Sequence, residues 1–292
     1  MSTTSTGSLS SRDPAPAFDV PVTPPAIRET LAALGIRPSR RWGQSFLSDP
    51  FVADAEAALV DLPADRPVVE IGGGLGILTA ALLRRRSGPL TVIERDPRLV
   101  RFLRRTFGAR ITVVEGDALV TDLPDVDCVV GNLPYSVATP ILLRLLAARV
   151  PRIVFLVQQE VADRIAADPG SKAYGRLSIL ARLYGSVELF QTVPAEAFTP
   201  RPEVSGRLAV HRARGDPIPV PSVPEFERTV RLLFGGRRKQ LHNLLPRAVG
   251  RAHEPTELAR RAGWPDDWGT RRPEELPPEA YFALARAMHA EA

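Results

Sequence analysis

The run Val68-Val69-Glu70-Ile71-Gly72-Gly73-Gly74-Leu75-Gly76 constrains the fold more than any other stretch, because a strand pattern enters a glycine turn and leaves it as a helix pattern. Such a turn lets the backbone approach a ligand at the carboxyl edge of a parallel sheet. Further strands are expected at Leu90 to Glu94, Ile111 to Glu115, Cys128 to Gly131, Ile153 to Val157, Val187 to Val193 and Arg207 to His211. Helices are expected at Leu75 to Arg86, Pro97 to Thr106 and Pro140 to Ala148, the last with Thr139 as N-cap and Pro140 at the first helical position. Alternation of this kind predicts an α/β domain with a largely parallel, Rossmann-like sheet.

At 292 residues, 44% of them hydrophobic, the chain has room for one sizeable domain and a smaller one. The first 25 or so residues are rich in Ser, Thr, Pro and Ala without the design of a secretory signal, and read as a disordered tail. Residues 26–214 read as the α/β domain, 215–224, with four prolines, as a linker, and 225–292 as a small all-helical domain. No apolar run is long enough to span a bilayer, so no membrane partner is expected. The single cysteine, Cys128, falls in a buried-strand pattern and excludes an intramolecular disulfide and a cysteine zinc cluster, consistent with the cytoplasm. The positive residues are 36 arginines and two lysines; arginine binds phosphate bidentately and stacks on bases, which suits RNA, although genomic codon bias also raises arginine.

The dinucleotide fingerprint requires glycine at the sixth position counted from Gly72, and Ile77 stands there, so a pyrophosphate cradle is disfavoured. Carboxylates instead close successive strands: Glu70, Glu94 and Asp117. Glu94, 22 residues beyond Gly72, is placed for two ribose hydroxyls, Asp117 for an adenine amine, and Glu70 for the neighbourhood of a cationic ammonium or sulfonium. With Gly72 and Gly74, that ring favours S-adenosyl-L-methionine over NAD. Taken singly, each carboxylate also reads as a solvated strand end or helix cap.

Asn132-Leu133-Pro134-Tyr135 ends the fourth strand about sixty residues after Gly72. The exocyclic amine of adenine is a poor nucleophile because its lone pair is delocalised into the ring. The Asn132 side-chain oxygen and a carbonyl of the Pro134 turn are acceptors for its two hydrogens, and Tyr135 offers a face on which an extruded base stacks. The plainer alternative is an ordinary Asn-x-Pro turn.

Together these blocks resemble the rRNA adenine N6-dimethyltransferases, most closely the small-subunit members, from about Arg40 to Leu245. Arg41-Trp42-Gly43-Gln44-Ser45-Phe46-Leu47 is similar to the family's Gly-Gln-Asn-Phe-Leu segment, with Ser45 for the usual Asn; the resemblance puts Ser45 and Leu47 beside the methionine end of the cofactor. Val157-Gln158-Gln159-Glu160-Val161-Ala162 and Pro169-Gly170-Ser171-Lys172-Ala173-Tyr174-Gly175-Arg176-Leu177-Ser178 resemble two further family segments, Gln159 replacing a lysine. Phe198-Thr199-Pro200-Arg201-Pro202-Glu203-Val204 resembles the loop whose aromatic covers the target base opposite Tyr135, although Phe198 alone reads as a loop anchor. Arg237-Arg238-Lys239 resembles the basic segment opening the family's helical domain, where a solvated helix face is the alternative.

The resemblance implies N6,N6-dimethylation of two adjacent adenines in the 3′-terminal hairpin of small-subunit (16S) rRNA, in a pre-30S particle; a monomer is expected, and because a sulfonium is already an activated leaving group no metal is expected. Lys172, Arg201, Arg237, Arg238 and Lys239 would touch RNA. Two rivals remain: a large-subunit (23S) rRNA methyltransferase conferring macrolide resistance, whose members usually carry Asn-Ile-Pro-Tyr where this chain has Leu133, and an inert RNA-binding assembly factor.

Overall fold

Strand and helix alternate through most of the chain in the computed structural model, which describes residues 18–38, 44–216, 218–250 and 253–290. Helix α1 (Pro24–Ala33) and a short strand β1 (Phe46–Leu47) lead into α2 (Pro50–Ala58). The alternation follows: β2 (Val68–Ile71), α3 (Ile77–Arg85), β3 (Leu90–Glu94), α4 (Pro97–Phe107), β4 (Thr112–Glu115), β5 (Cys128–Asn132), α5 (Ala138–Ala147), β6 (Arg152–Gln158) and α6 (Gln159–Ala166). Next come α7 (Arg176–Tyr184), β7 (Gly185–Val193), β8 (Phe198–Thr199) and β9 (Gly206–Ala213). Helices α8 (Val223–Gly235), α9 (Leu241–Val249), α10 (Pro255–Arg261) and α11 (Pro278–His289) complete the chain.

The main sheet has the order β4-β3-β2-β5-β6-β9-β7, with β4 through β6 parallel and β9 antiparallel to both of its neighbours, so that β9 alone of the seven runs against the rest. The chain winds outward in one direction from β2 and in the other from β5, so the switch point lies between them. That is where open α/β sheets bind ligands. Successive residues of each strand face opposite layers: Ile153, Phe155 and Val157 pack with α5 and α7, while Val154 and Leu156 pack with α2 and α3. Gly131 brings β5 unusually close to β2, since a Cβ there would lie 2.4 Å from the Ile71 carbonyl oxygen. Cys128 is buried in the strand as expected, and burial pushes its thiol up to about 12, so it stays protonated.

Several boundaries differ from the sequence reading. Residues 1–17 lie outside the described residues, but the rest of the expected tail is held in place: Phe18 packs on Phe107 in a tilted pair at 4.9 Å between ring centroids, and Thr23 caps α1. Helix α5 starts at Ala138 rather than Pro140, so Thr139 is inside the helix instead of capping it. The cause is the turn before it, where the Val137 amide donates to the Pro134 carbonyl and the Val137 carbonyl then accepts from Ile141. Helix α8 takes over the end of the expected linker, with Ser222 accepting from the Glu225 amide at the N-cap. Helices α6 and α7 and the β1–β8 pair were not among the expected elements.

The helical region does not bury a separate core. Phe226, Val230, Leu233, Leu245, Tyr281 and Leu284 join one continuous apolar cluster with Leu177, Leu180 and Ala181 of α7. Tyr174 is the hinge pin of this junction: fully buried, it meets Phe234 edge-on at 5.9 Å, and Phe234 in turn packs on Tyr281.

Candidate active site

A cavity of about 370 Å³ opens at the carboxyl edge of the sheet over the β2–β5 switch point. It is within the size range of small-ligand sites. Its floor is the glycine turn. Gly72 and Gly74 take φ values of 77° and 54°, in the left-handed region that favours glycine, and this turns the Gly74 amide towards the end of β3. There it donates to Glu94 Oε2 at 3.0 Å.

Glu94 carries the turn's electrostatics. Its Oε1 accepts from the amides of Arg95 and Asp96 at 2.7 and 2.9 Å, so three of its roughly four lone-pair positions are filled and one on Oε2 is left for a ligand. Burial raises its carboxyl above the ordinary range, against the three amides that favour the anion. Asp117 lines the same wall; its Oδ1 accepts from Leu119 N and its Oδ2 lies 3.3 Å from Arg95. Glu70 is deeper, 1% exposed, and accepts from the Thr79 hydroxyl at 2.7 Å. Burial pushes its carboxyl up to about 7, opposed by the Thr79 hydrogen bond and assisted by the charge of Glu94.

Beside the β2 turn stands the turn after β5. Asn132, Leu133, Pro134 and Tyr135 all line the cavity, and the Asn132 backbone oxygen would be only 3.8 Å from a Cβ on Gly72. The two turns, sixty residues apart in sequence, are therefore in contact. The Pro134 carbonyl already accepts from Val137 and keeps one lone pair free. Tyr135 is half-buried; burial pushes its phenol up to about 12, and its hydroxyl has no hydrogen-bond partner among the described residues.

Strand β1 forms the third wall. It pairs antiparallel with β8, Phe46 with Thr199 and Leu47 with Phe198, so the segment before α2 and the proline loop form one small sheet. Leu47 and Ser45 line the cavity as expected. The Ser45 hydroxyl, however, donates to the Pro200 carbonyl at 3.0 Å and so ties the two segments together. Arg41, Trp42 and Gly43 lie outside the described residues.

Phe198 requires a correction. It is 2% exposed, absent from the cavity wall, and packed with Leu47, Val52, Leu156 and Leu208. Paired with Leu47, it packs in the core and anchors the loop, apart from the cavity wall that Tyr135 lines.

The expected RNA-contact residues divide. Lys172, Arg238 and Lys239 make no ion pair or side-chain hydrogen bond among the described residues. Arg201 pairs with Glu196 at 2.6 Å on the open surface. Arg237 is drawn inward: it pairs with Glu274 and donates to the Ser171 carbonyl at 3.0 Å, while Gly170 N donates to the Glu274 carbonyl. The Pro-Gly-Ser-Lys segment is thus part of the junction with the helical region, and Arg237 is one of its bolts rather than a free cation.

The sequence reading passed over Asp96, which lines the cavity, caps α4 through the Arg98 amide and holds the Arg98 guanidinium. Its signal was the Asp-Pro pair that opens the helix. It also missed Glu56 on α2, fully buried, with both carboxyl oxygens unpartnered among the described residues. Burial, then the charge of Glu70, holds the Glu56 carboxyl well above the ordinary range. An acid in an otherwise apolar helix face (Val52, Ala53, Ala57) was the sign of it.

A sequence model of the family described as ribosomal RNA adenine dimethylase matches residues 37–259. The chain belongs to the ribosomal RNA adenine dimethylase family. It is 40% identical to a probable ribosomal RNA small subunit methyltransferase A of Natronomonas pharaonis, over 87% of this chain and 94% of that protein. It is 39% identical to a ribosomal RNA small subunit methyltransferase A of Anaeromyxobacter sp. strain K, over 90% and 98%. Among solved structures it matches a dimethyladenosine transferase from Plasmodium falciparum with a TM-score of 0.69, covering 82% of this chain and 95% of that one at 23% identity, a likeness of fold. The 23S rRNA methyltransferase ErmE matches with a TM-score of 0.63 at 26% identity, covering 84% and 100%. Within the family, the chain is a methyltransferase with a Rossmann-like domain and a helical C-terminal region.

Proposed function

We propose that this chain uses S-adenosyl-L-methionine to dimethylate N6 of two adjacent adenines in the 3′-terminal hairpin of small-subunit rRNA, acting as a monomer on a pre-30S particle. One observation carries the reading: the Asn132–Tyr135 turn and the carboxylates Glu70, Glu94 and Asp117 line one cavity. The cavity fits the cofactor in size and in its donor set. Glu94 and Asp117 keep acceptor capacity for ribose hydroxyls and an adenine amine, the glycine turn offers close backbone approach, and Glu70 adds a carboxylate for a cationic group. When bound, the cofactor supplies a methyl group on a positively charged sulfur, which is already an activated leaving group.

The chain's own part is positioning. Asn132 and the Pro134 carbonyl accept the amine hydrogens and favour a pyramidal nitrogen as positive charge develops, and the Tyr135 ring receives the base. The proton leaves to water. Because a monomethylated amine still has one hydrogen, the same acceptors serve a second round. Leu133, and the names of the relatives, favour the small-subunit target over the large-subunit one. Mass-spectrometric mapping of rRNA from cells with and without the gene tests this. Loss of dimethyladenosine from the small-subunit hairpin supports the reading, and loss confined to large-subunit rRNA transfers the chain to the rival activity.

A further inference from the structure

A second cleft lies at the opposite edge of the sheet, where β6 begins and β9 ends. It has a volume of about 280 Å³, an apolar floor that includes Pro151, Leu183 and Tyr184, and Arg149 and Arg214 on its rim. Cys128 pairs with Arg152 and Asn132 with Leu156, so four residues of strand, roughly 13 Å at about 3.3 Å per residue, separate the level of this cleft from the catalytic turn.

Arg149 and Arg214 are both exposed, and neither makes an ion pair or a side-chain hydrogen bond among the described residues. Other arginines of α7 and β9 behave differently: Arg182 is held by Asp168, Arg212 by Glu188 and Arg176 by Glu227. Asp216, two residues beyond Arg214, is not part of the cleft. Arg149 has φ 53°, just past the end of α5, where its amide donates to Leu146 and the next amide to Leu145. Glycine is the relaxed choice at such a helix end. An arginine there sets a cation on the rim of the cleft against the preference of the backbone.

We propose that this cleft is a second rRNA contact: Arg149 and Arg214 bind a backbone phosphate, and the apolar floor receives the attached sugar and base. Paired guanidinium groups suit phosphate oxygens, and phosphate contacts position a protein on RNA without reading sequence. The RNA segment held here is distinct from the one entering the active site, because the two sites open at opposite edges of the sheet. The inference rests on the rRNA reading above.

The test is binding of the full-length protein to undermethylated small-subunit particles across a range of salt, with melting temperature and cofactor affinity measured alongside. Arg149→Gly should raise the melting temperature, because it relaxes the left-handed position, yet weaken particle binding. The double variant Arg149→Gly, Arg214→Ala should flatten the slope of log affinity against log salt by roughly 0.7 to 0.9 for each phosphate no longer neutralised. Cofactor affinity should not change. If wild type binds and methylates the particles and the double variant has the same affinity and salt slope, the cleft is not an RNA site and the rRNA reading stands. If wild type neither binds nor methylates them, both fail.

Discussion

The carboxyl edge of the sheet and the helical region beyond Val223 both contain clustered charges, and they use them in opposite ways. At the sheet edge, Glu70, Glu94 and Asp117 stand at the ends of strands in fixed register, and all three face one cavity. In the helical region, three consecutive cations diverge: Arg237 turns inward to Glu274 and Ser171, whereas Arg238 and Lys239 stay free among the described residues. Strand order and register decide where a strand-end residue points, so a chemical function can be built from residues far apart in sequence. A residue at the end of a helix is directed by whatever packs against it. Charge in the first region therefore converges on one cavity, and charge in the second is partly architecture.

The largest effect expected concerns the aromatic pair of the first region. Phe198→Ala should cost about 3–5 kcal/mol of stability, the range for a buried aromatic replaced by alanine, with little change in turnover per folded molecule. Tyr135→Leu should do the reverse, leaving the melting temperature nearly unchanged and weakening productive base binding by about 1 to 3 kcal/mol. Denaturant unfolding and single-turnover methylation separate the two. If Phe198→Ala were stable and inactive, Phe198 would belong with the substrate after all.

Asn132→Ala should slow methyl transfer by on the order of a hundredfold or more, about 2.7–4 kcal/mol, while cofactor binding stays measurable by calorimetry. Near-normal turnover would remove Asn132 from the mechanism and leave the sheet edge as a cofactor site alone.

Much of that edge was legible in the sequence for a physical reason. Once Val68–Ile71 is a strand feeding a glycine turn, parallel pairing puts each following strand end on the same edge, and the carboxylates converge without any knowledge of side-chain packing. What stayed hidden depended on contacts between segments that sequence spacing does not reveal. The β1–β8 pairing turned Phe198 inward and gave the Ser45 hydroxyl to Pro200. The turn from Pro134 to Val137 moved the start of α5. Arg237, read as an RNA contact, and Tyr174, read only as part of a family segment, join the helical region to α7.

Glu56 sharpens the comparison from inside the sheet domain. Its raised carboxyl and that of Glu70, at about 7, mean that the folded protein keeps protons the unfolded chain releases above about 4.5. The folded state then binds more protons than the unfolded state, so these two groups favour folding below about pH 4.5 and progressively lose that contribution as pH rises to 7 and beyond. Glu56→Leu removes one buried acid that has no hydrogen-bond partner among the described residues. It should stabilise the protein at pH 8 by about 1–3 kcal/mol, with the gain shrinking towards pH 4.5. A gain independent of pH would mean that Glu56 does not titrate in this window.

The smallest effect expected lies in the helical region. Arg237→Ala should cost about 1 kcal/mol of stability, because its ion pair is only partly shielded from solvent. Arg238→Ala with Lys239→Ala should leave stability unchanged and flatten the salt dependence of particle binding by roughly 0.7 to 0.9 for each phosphate left without its cation. If Arg237→Ala altered only the salt slope, the division between architectural and free cations would be wrong.

The central claim is that the carboxylate ring and the Asn132 turn form one site for dimethylating small-subunit rRNA, and in vitro methylation tests it most directly. Purified protein would be incubated with labelled S-adenosyl-L-methionine and either undermethylated small subunits or large subunits, and the modified nucleosides mapped by mass spectrometry. The account predicts two methyl groups on N6 of each of two adjacent adenines in the small-subunit 3′-terminal hairpin, none in the large subunit, and loss of both modifications with Asn132→Ala. Label in large-subunit rRNA, or no label with a cofactor that demonstrably binds, would contradict it.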